Sequence, residues 1–125
     1  MSVKIILAPH AGFCFGVERA IELAQNAASY TREGKKVFTY GPLIHNPQEI
    51  ERLKSLGVEV LKSEDDLDGD TVLIIRSHGI PPQKERELLS KGVKIVDATC
   101  PYVKAVHEAI QKLAGEGYFV VLVGE

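Results

Sequence analysis

Tryptophan is absent from this sequence, and aromatic residues make up only 6 % of it. A surface that stacks nucleobases on aromatic rings is therefore a poor reading. Positive charge is not in excess either: 15 Lys and Arg stand against 17 Asp and Glu, a formal net charge of −2. No broad basic field points to nucleic acid. No apolar run reaches the roughly 20 residues of a membrane-spanning helix. The first residues, Met1-Ser2-Val3-Lys4, lack the charged stretch, long apolar core and small-residue cleavage site of a secretory signal. Cysteine occurs only twice, as Cys14 and Cys100, with no Cys-x-x-Cys pair. The expected setting is a reducing cytoplasm. Two distant cysteines there bind metal, do chemistry or fill the core rather than form a stable disulfide.

What is present suits one globular domain. The chain has 125 residues, 45 % hydrophobic and 26 % charged, long enough to bury a substantial core. Apolar runs at Val3–Ala8, Lys36–Tyr40, Val58–Leu61, Thr71–Ile75, Val93–Val96 and Tyr118–Val123 read as strands. Helical spacing follows them: Val17, Ala20, Ile21, Ala24 and Ala28; then Ile50, Leu53 and Leu56 after Pro47; then a charged helix ending at Ser90; then Val103, Val106, Ile110 and Leu113. Glu51–Val58 resembles Glu85–Val93, a reuse of helix–Gly–strand grammar without a third copy. Alternating strands and helices imply an α/β three-layer sandwich, a mostly parallel sheet with helices on both faces. No linker interrupts residues 1–125, so a single α/β domain is expected.

The stretch Gly12-Phe13-Cys14-Phe15-Gly16 stands where the first apolar run gives way to the first helix. Glycine allows close approach of the backbone to a ligand. A helix N-terminus presents free N–H groups and partial positive charge. Such a place favours a thiolate, the nucleophilic and metal-binding form. The alternative for Cys14 is a small buried apolar residue. In a parallel sheet every strand-to-helix loop lies on the carboxyl edge, where open α/β folds bind ligands. Cys14, His45, His78 and Cys100 each follow an expected strand, so two thiols and two imidazoles converge there. Cys100 precedes Pro101 at a helix start, and its alternative is a buried capping cysteine. Two soft thiolates suit an Fe–S cluster, zinc or Cu(I). His45 and His78 lie in Gly/Pro-rich loops that can hold an anion, complete a zinc site, or merely face solvent. His107 reads as a structural histidine, His10 as an outer neighbour of Cys14, and Asp97 and Thr99 as loop and capping groups.

Gly12-Phe13-Cys14-Phe15-Gly16-Val17, Ile44-His45-Asn46, Ser77-His78-Gly79 and Asp97-Ala98-Thr99-Cys100-Pro101 stand in this order along the chain. In order and spacing they resemble the N-terminal part of the 4-hydroxy-3-methylbut-2-enyl diphosphate reductases, iron–sulfur enzymes of the non-mevalonate isoprenoid pathway. The resemblance covers essentially all 125 residues. It implies an oxygen-sensitive oxidoreductase with a [4Fe-4S] cluster held by three cysteines. In that family two electrons and two protons remove an allylic hydroxyl as water, giving isopentenyl and dimethylallyl diphosphates. By the same resemblance, Cys14 and Cys100 are cluster ligands, and His45 and His78 contact the diphosphate. A ferredoxin or flavodoxin is the implied electron donor.

The family's chains are longer, with three similar α/β domains around the cluster. The third cysteine, the acidic proton donor and the Ser/Asn diphosphate ligands have no counterpart here. Three readings follow. The chain is one domain of the reductase, inactive alone. Or it forms a homodimer whose four cysteines hold a [4Fe-4S] cluster or zinc. Or it is a metal-free anion-binding domain built on His45, His78 and helix N-termini. An unusually apolar surface is expected where neighbouring domains would sit.

Overall fold

A computed structural model describes residues 1–124. Four strands form one sheet: β1 (Lys36–Tyr40), β2 (Val58–Val60), β3 (Thr71–Ile75) and β4 (Lys94–Asp97). Their order is β2-β1-β3-β4, and every neighbouring pair is parallel. The register sets Tyr40 beside Ile75, and Ile75 beside Asp97, so β1, β3 and β4 end level. The short β2 lies at an edge, as expected.

β3 is buried along all five residues, which is why it reads as an unbroken apolar run. Its alternation sorts two cores. Val72 and Ile74 pack with α1 (Phe15–Ala27) and with Leu53 of α2 (Pro47–Ser55). Leu73 and Ile75 pack with Leu88 of α3 (Pro82–Ser90). The helices thus cover both faces of the sheet. Burying each such aliphatic side chain contributes about 1.5–3 kcal/mol. In α1, Ala20, Ile21, Ala24 and Ala27 form the buried stripe at the expected spacing. α2 starts where the Asn46 side chain accepts the Glu49 N–H at 3.0 Å, with Pro47 in the first turn.

Two expected strands are not strands. Val3–Ala8 joins no ladder, and Ile5 and Leu7 are each 83 % exposed. Tyr118–Val123 is likewise outside the sheet, with Phe119 94 % exposed. An apolar run has the capacity for burial, but a strand also needs a neighbour with free N–H and C=O groups. Among the described residues the ladder is confined to four strands. The last helix, α4 (Pro101–Gly115), has no buried residue, and its Val106 and Leu113 remain exposed. Among the described residues no helix is long and apolar enough to cross a membrane.

Candidate functional site

The level ends of β1, β3 and β4 put three strand-to-helix loops side by side. The β3 and β4 loops are bonded past the strands: Ala98 N–H donates to Ile75 O at 3.0 Å and Cys100 N–H to Ser77 O at 2.9 Å. The loop bearing His78 and the loop bearing Cys100 are therefore one hydrogen-bonded unit.

Cys100 is the N-cap of α4 and is half-buried. Cys14 is the exposed N-cap of α1. Neither helix has a side-chain cap, so both thiols sit among free N–H groups. The two helix starts touch. A Cβ placed on Gly16 would lie 2.7 Å from Cys100 Sγ. The second glycine of the Gly12–Gly16 stretch thus clears space for the other thiol rather than for an outside ligand. Arg19 of α1 donates to Thr99 O at 3.1 Å. Phe15 and Tyr102 meet edge to face with ring centroids 6.1 Å apart. Cys14 reaches the carboxyl edge although no strand precedes it; α1 is brought there by its packing over β3 and by these contacts.

His45 follows β1 and His78 follows β3, and both are exposed. Their ring centroids are 6.1 Å apart at a tilt of 39°. His78 is held by the turn behind it, where Gly79 N–H donates to Arg76 O at 3.0 Å. Gly79 has φ +76, which strains any other residue, and a Cβ there would be crowded, 3.1 Å from Thr99 and 3.3 Å from His107. His107 is exposed on α4 and packs on that glycine. His10 is exposed in a turn. Asp97 and Thr99 behave as loop and capping groups: the Asp97 carboxylate accepts the Thr99 amide at 3.0 Å and also the Thr99 hydroxyl. Burial pushes the Asp97 carboxyl up, but these Thr99 bonds and Lys104 outweigh it, and the net shift is downward.

A cavity of about 550 Å³ lies between the His78–Pro82 loop and α4, lined by His78, Asp97, Thr99, Lys104 and His107 among others. Neither cysteine lines it. Among the described residues no three His, Cys, Asp or Glu side chains converge as a metal-binding group. The two cysteines suit an iron–sulfur cluster or zinc in donor type, and supply only part of either coordination shell. Gly16, Arg19, Arg76 and Gly79 also build this edge. Gly16 was legible as a place of close approach; Arg19, Arg76 and Gly79 act through tertiary neighbours that local spacing does not specify.

A family model described as "LytB protein" matches residues 5–125. The chain is 63 % identical over 123 residues to the 4-hydroxy-3-methylbut-2-enyl diphosphate reductase of Aquifex aeolicus, and 46 % identical to that of Pelobacter propionicus. Each match covers 98 % of this chain and 42 % of the relative. A solved (E)-4-hydroxy-3-methyl-but-2-enyl diphosphate reductase, described as the terminal enzyme of the non-mevalonate pathway, superposes with TM-score 0.84 at 60 % identity. It is matched over 97 % of this chain and 42 % of its own. The Plasmodium falciparum E-1-hydroxy-2-methyl-but-2-enyl-4-diphosphate reductase superposes with TM-score 0.78 at 32 % identity, over 86 % of this chain and 33 % of its own. The chain spans less than half the length of these relatives.

Proposed function

Because the chain belongs to the LytB protein family, we propose that it is the N-terminal part of a 4-hydroxy-3-methylbut-2-enyl diphosphate reductase. In this reading residues 1–125 form one α/β domain that carries half of the active site and is inactive alone. Cys14 and Cys100 supply two thiolates to a [4Fe-4S] cluster whose third comes from elsewhere. His45 and His78 donate to the substrate's diphosphate, where charged oxygens make strong hydrogen bonds. The cluster, when bound, supplies electron delivery and Lewis-acid weakening of the allylic C–O bond. The net reaction consumes two electrons, from a ferredoxin- or flavodoxin-like donor, and two protons, and releases water. A reducing cytoplasm is the compartment this chemistry needs.

The observation that carries the reading is the meeting of two thiol-bearing helix starts, at Gly16 and Cys100, on the edge that also holds the His45–His78 pair. The test is anaerobic iron and sulfide reconstitution of the chain co-expressed with the remainder of the Aquifex aeolicus relative. The complex is expected to hold a cluster and reduce the allylic diphosphate, and Cys14→Ser or Cys100→Ser to lose the cluster. Wild-type iron content in both variants would refute the ligand assignment. Light scattering on the chain alone decides the dimer reading: a dimer with about two irons per chain means a shared four-thiolate cluster.

A further inference from the structure

Arg76 is the first residue after β3, as Gly41 is the first after β1. With Tyr40 paired to Ile75, these two lie side by side at the carboxyl edge. Gly41 has φ +77, and a Cβ placed on it would stand 3.4 Å from Arg76 Nη1. The guanidinium therefore lies over the start of the loop that leads to His45. Its own loop leads, two residues on, to His78. Arg76 bridges the roots of both histidine loops.

Its charge is unanswered. Among the described residues the Arg76 side chain makes no hydrogen bond and belongs to no ion pair, and its Nε is buried without an acceptor. Arg32, by contrast, is exposed to solvent. A desolvated donor on a permanent cation is costly unless an acceptor arrives. The planar five-donor fork of arginine matches the paired oxygens of a phosphoryl group. Two imidazoles supply at most one donor each when neutral, so the His45–His78 pair alone leaves a multiply charged diphosphate under-compensated.

We propose that Arg76 is a third diphosphate-binding residue, closing the anion site begun by His45 and His78. The inference rests on the diphosphate reading of those histidines. The test is calorimetric titration of the chain with inorganic diphosphate at several ionic strengths. Arg76→Gln is expected to weaken binding about tenfold or more and to flatten its salt dependence; Arg76→Lys, which keeps the charge but not the fork, loses less affinity and keeps the salt dependence. Wild-type affinity in Arg76→Gln, with His78→Ala impaired, overturns the role of Arg76 and leaves the histidine reading intact. No binding by the wild-type chain overturns both. A measurement free of substitutions guards against misfolding: inorganic diphosphate is expected to protect Arg76, but not exposed Arg32 or Arg86, from phenylglyoxal. Unchanged labelling of Arg76 overturns the proposal.

Discussion

Adding one methyl group at Gly16 tests whether the two thiol-bearing helices truly touch. In Gly16→Ala the new Cβ would stand 2.7 Å from Cys100 Sγ and 3.0 Å from Cys100 Cβ. Unstrained heavy-atom contacts lie near 3.5–4.0 Å, so α1 or Cys100 must retreat by roughly 1 Å. Overpacking of this kind costs about 1–3 kcal/mol, against roughly 0.5–1 kcal/mol that alanine contributes over glycine in a helix. The net expectation is a loss of about 0–2.5 kcal/mol, centred near 1 kcal/mol, which at that centre is a fall in Tm of roughly 4 °C for a domain of this size. Retreat also displaces Cys100 relative to α1, whose N-cap is Cys14, so zinc or iron retention should fall with stability. Thermal melts and metal analysis on the single variant, on Cys100→Ala and on the pair give the answer. Removing Sγ lifts the worse contact, so the pair should recover about 1 kcal/mol relative to additivity. A Gly16→Ala chain at least as stable as wild type, additive with Cys100→Ala, would show that the helix starts do not meet and would refute the site.

Other expectations follow from the same geometry. Leu73→Ala, in a side chain with no exposed surface, should cost about 2–5 kcal/mol in urea unfolding, with the histidine loops otherwise intact. Asn46→Ala removes the cap on α2 and should cost about 1 kcal/mol; an unchanged urea midpoint would remove the cap from the account. Gly79→Ala combines a left-handed backbone with crowding by Thr99 and His107; it should lower Tm and weaken inorganic diphosphate binding together, and retention of both would disprove the packing. The depressed Asp97 carboxyl stabilises the fold above its ordinary titration range, and that contribution is lost as pH falls through its folded-state value. Asp97→Asn should therefore flatten the acid side of the stability-versus-pH curve, read from urea midpoints between neutral and acidic pH.

Most of the sheet is legible in the sequence. β3 announces itself because both its faces are buried, and continuous apolar sequence is what two cores demand. α2 is bracketed by Asn46-Pro47 and Gly57, residues whose backbone and capping chemistry is local. Val3–Ala8 and Tyr118–Val123 look just as buried on paper. They differ from β3 only in lacking a bonded neighbour, and pairing is not a local property. The same limit explains the site. The strand-to-helix rule alone places His45, His78 and Cys100 at one edge; for Cys14 its premise fails, because Val3–Ala8 is not a strand. The contacts that join them, Gly16 on Cys100 and Cys100 N–H on Ser77 O, link positions far apart in the chain. In the sequence Arg76 is one more residue of the loop that follows β3; only the unsatisfied Nε marks it out.

The parallel sheet also separates two kinds of loop by geography. His45, His78 and Cys100 sit on turns that run from strand to helix, with Cys14 brought to the same edge at the start of α1, whereas the returns from helix to strand, such as those at Gly34, Gly57 and Gly92, lie at the opposite end. At Gly34 nothing comes within 4 Å of an added Cβ. That turn is a natural handle: a peptide tag, a fluorophore or new chain termini from circular permutation can be grafted there while the thiols and imidazoles keep their places.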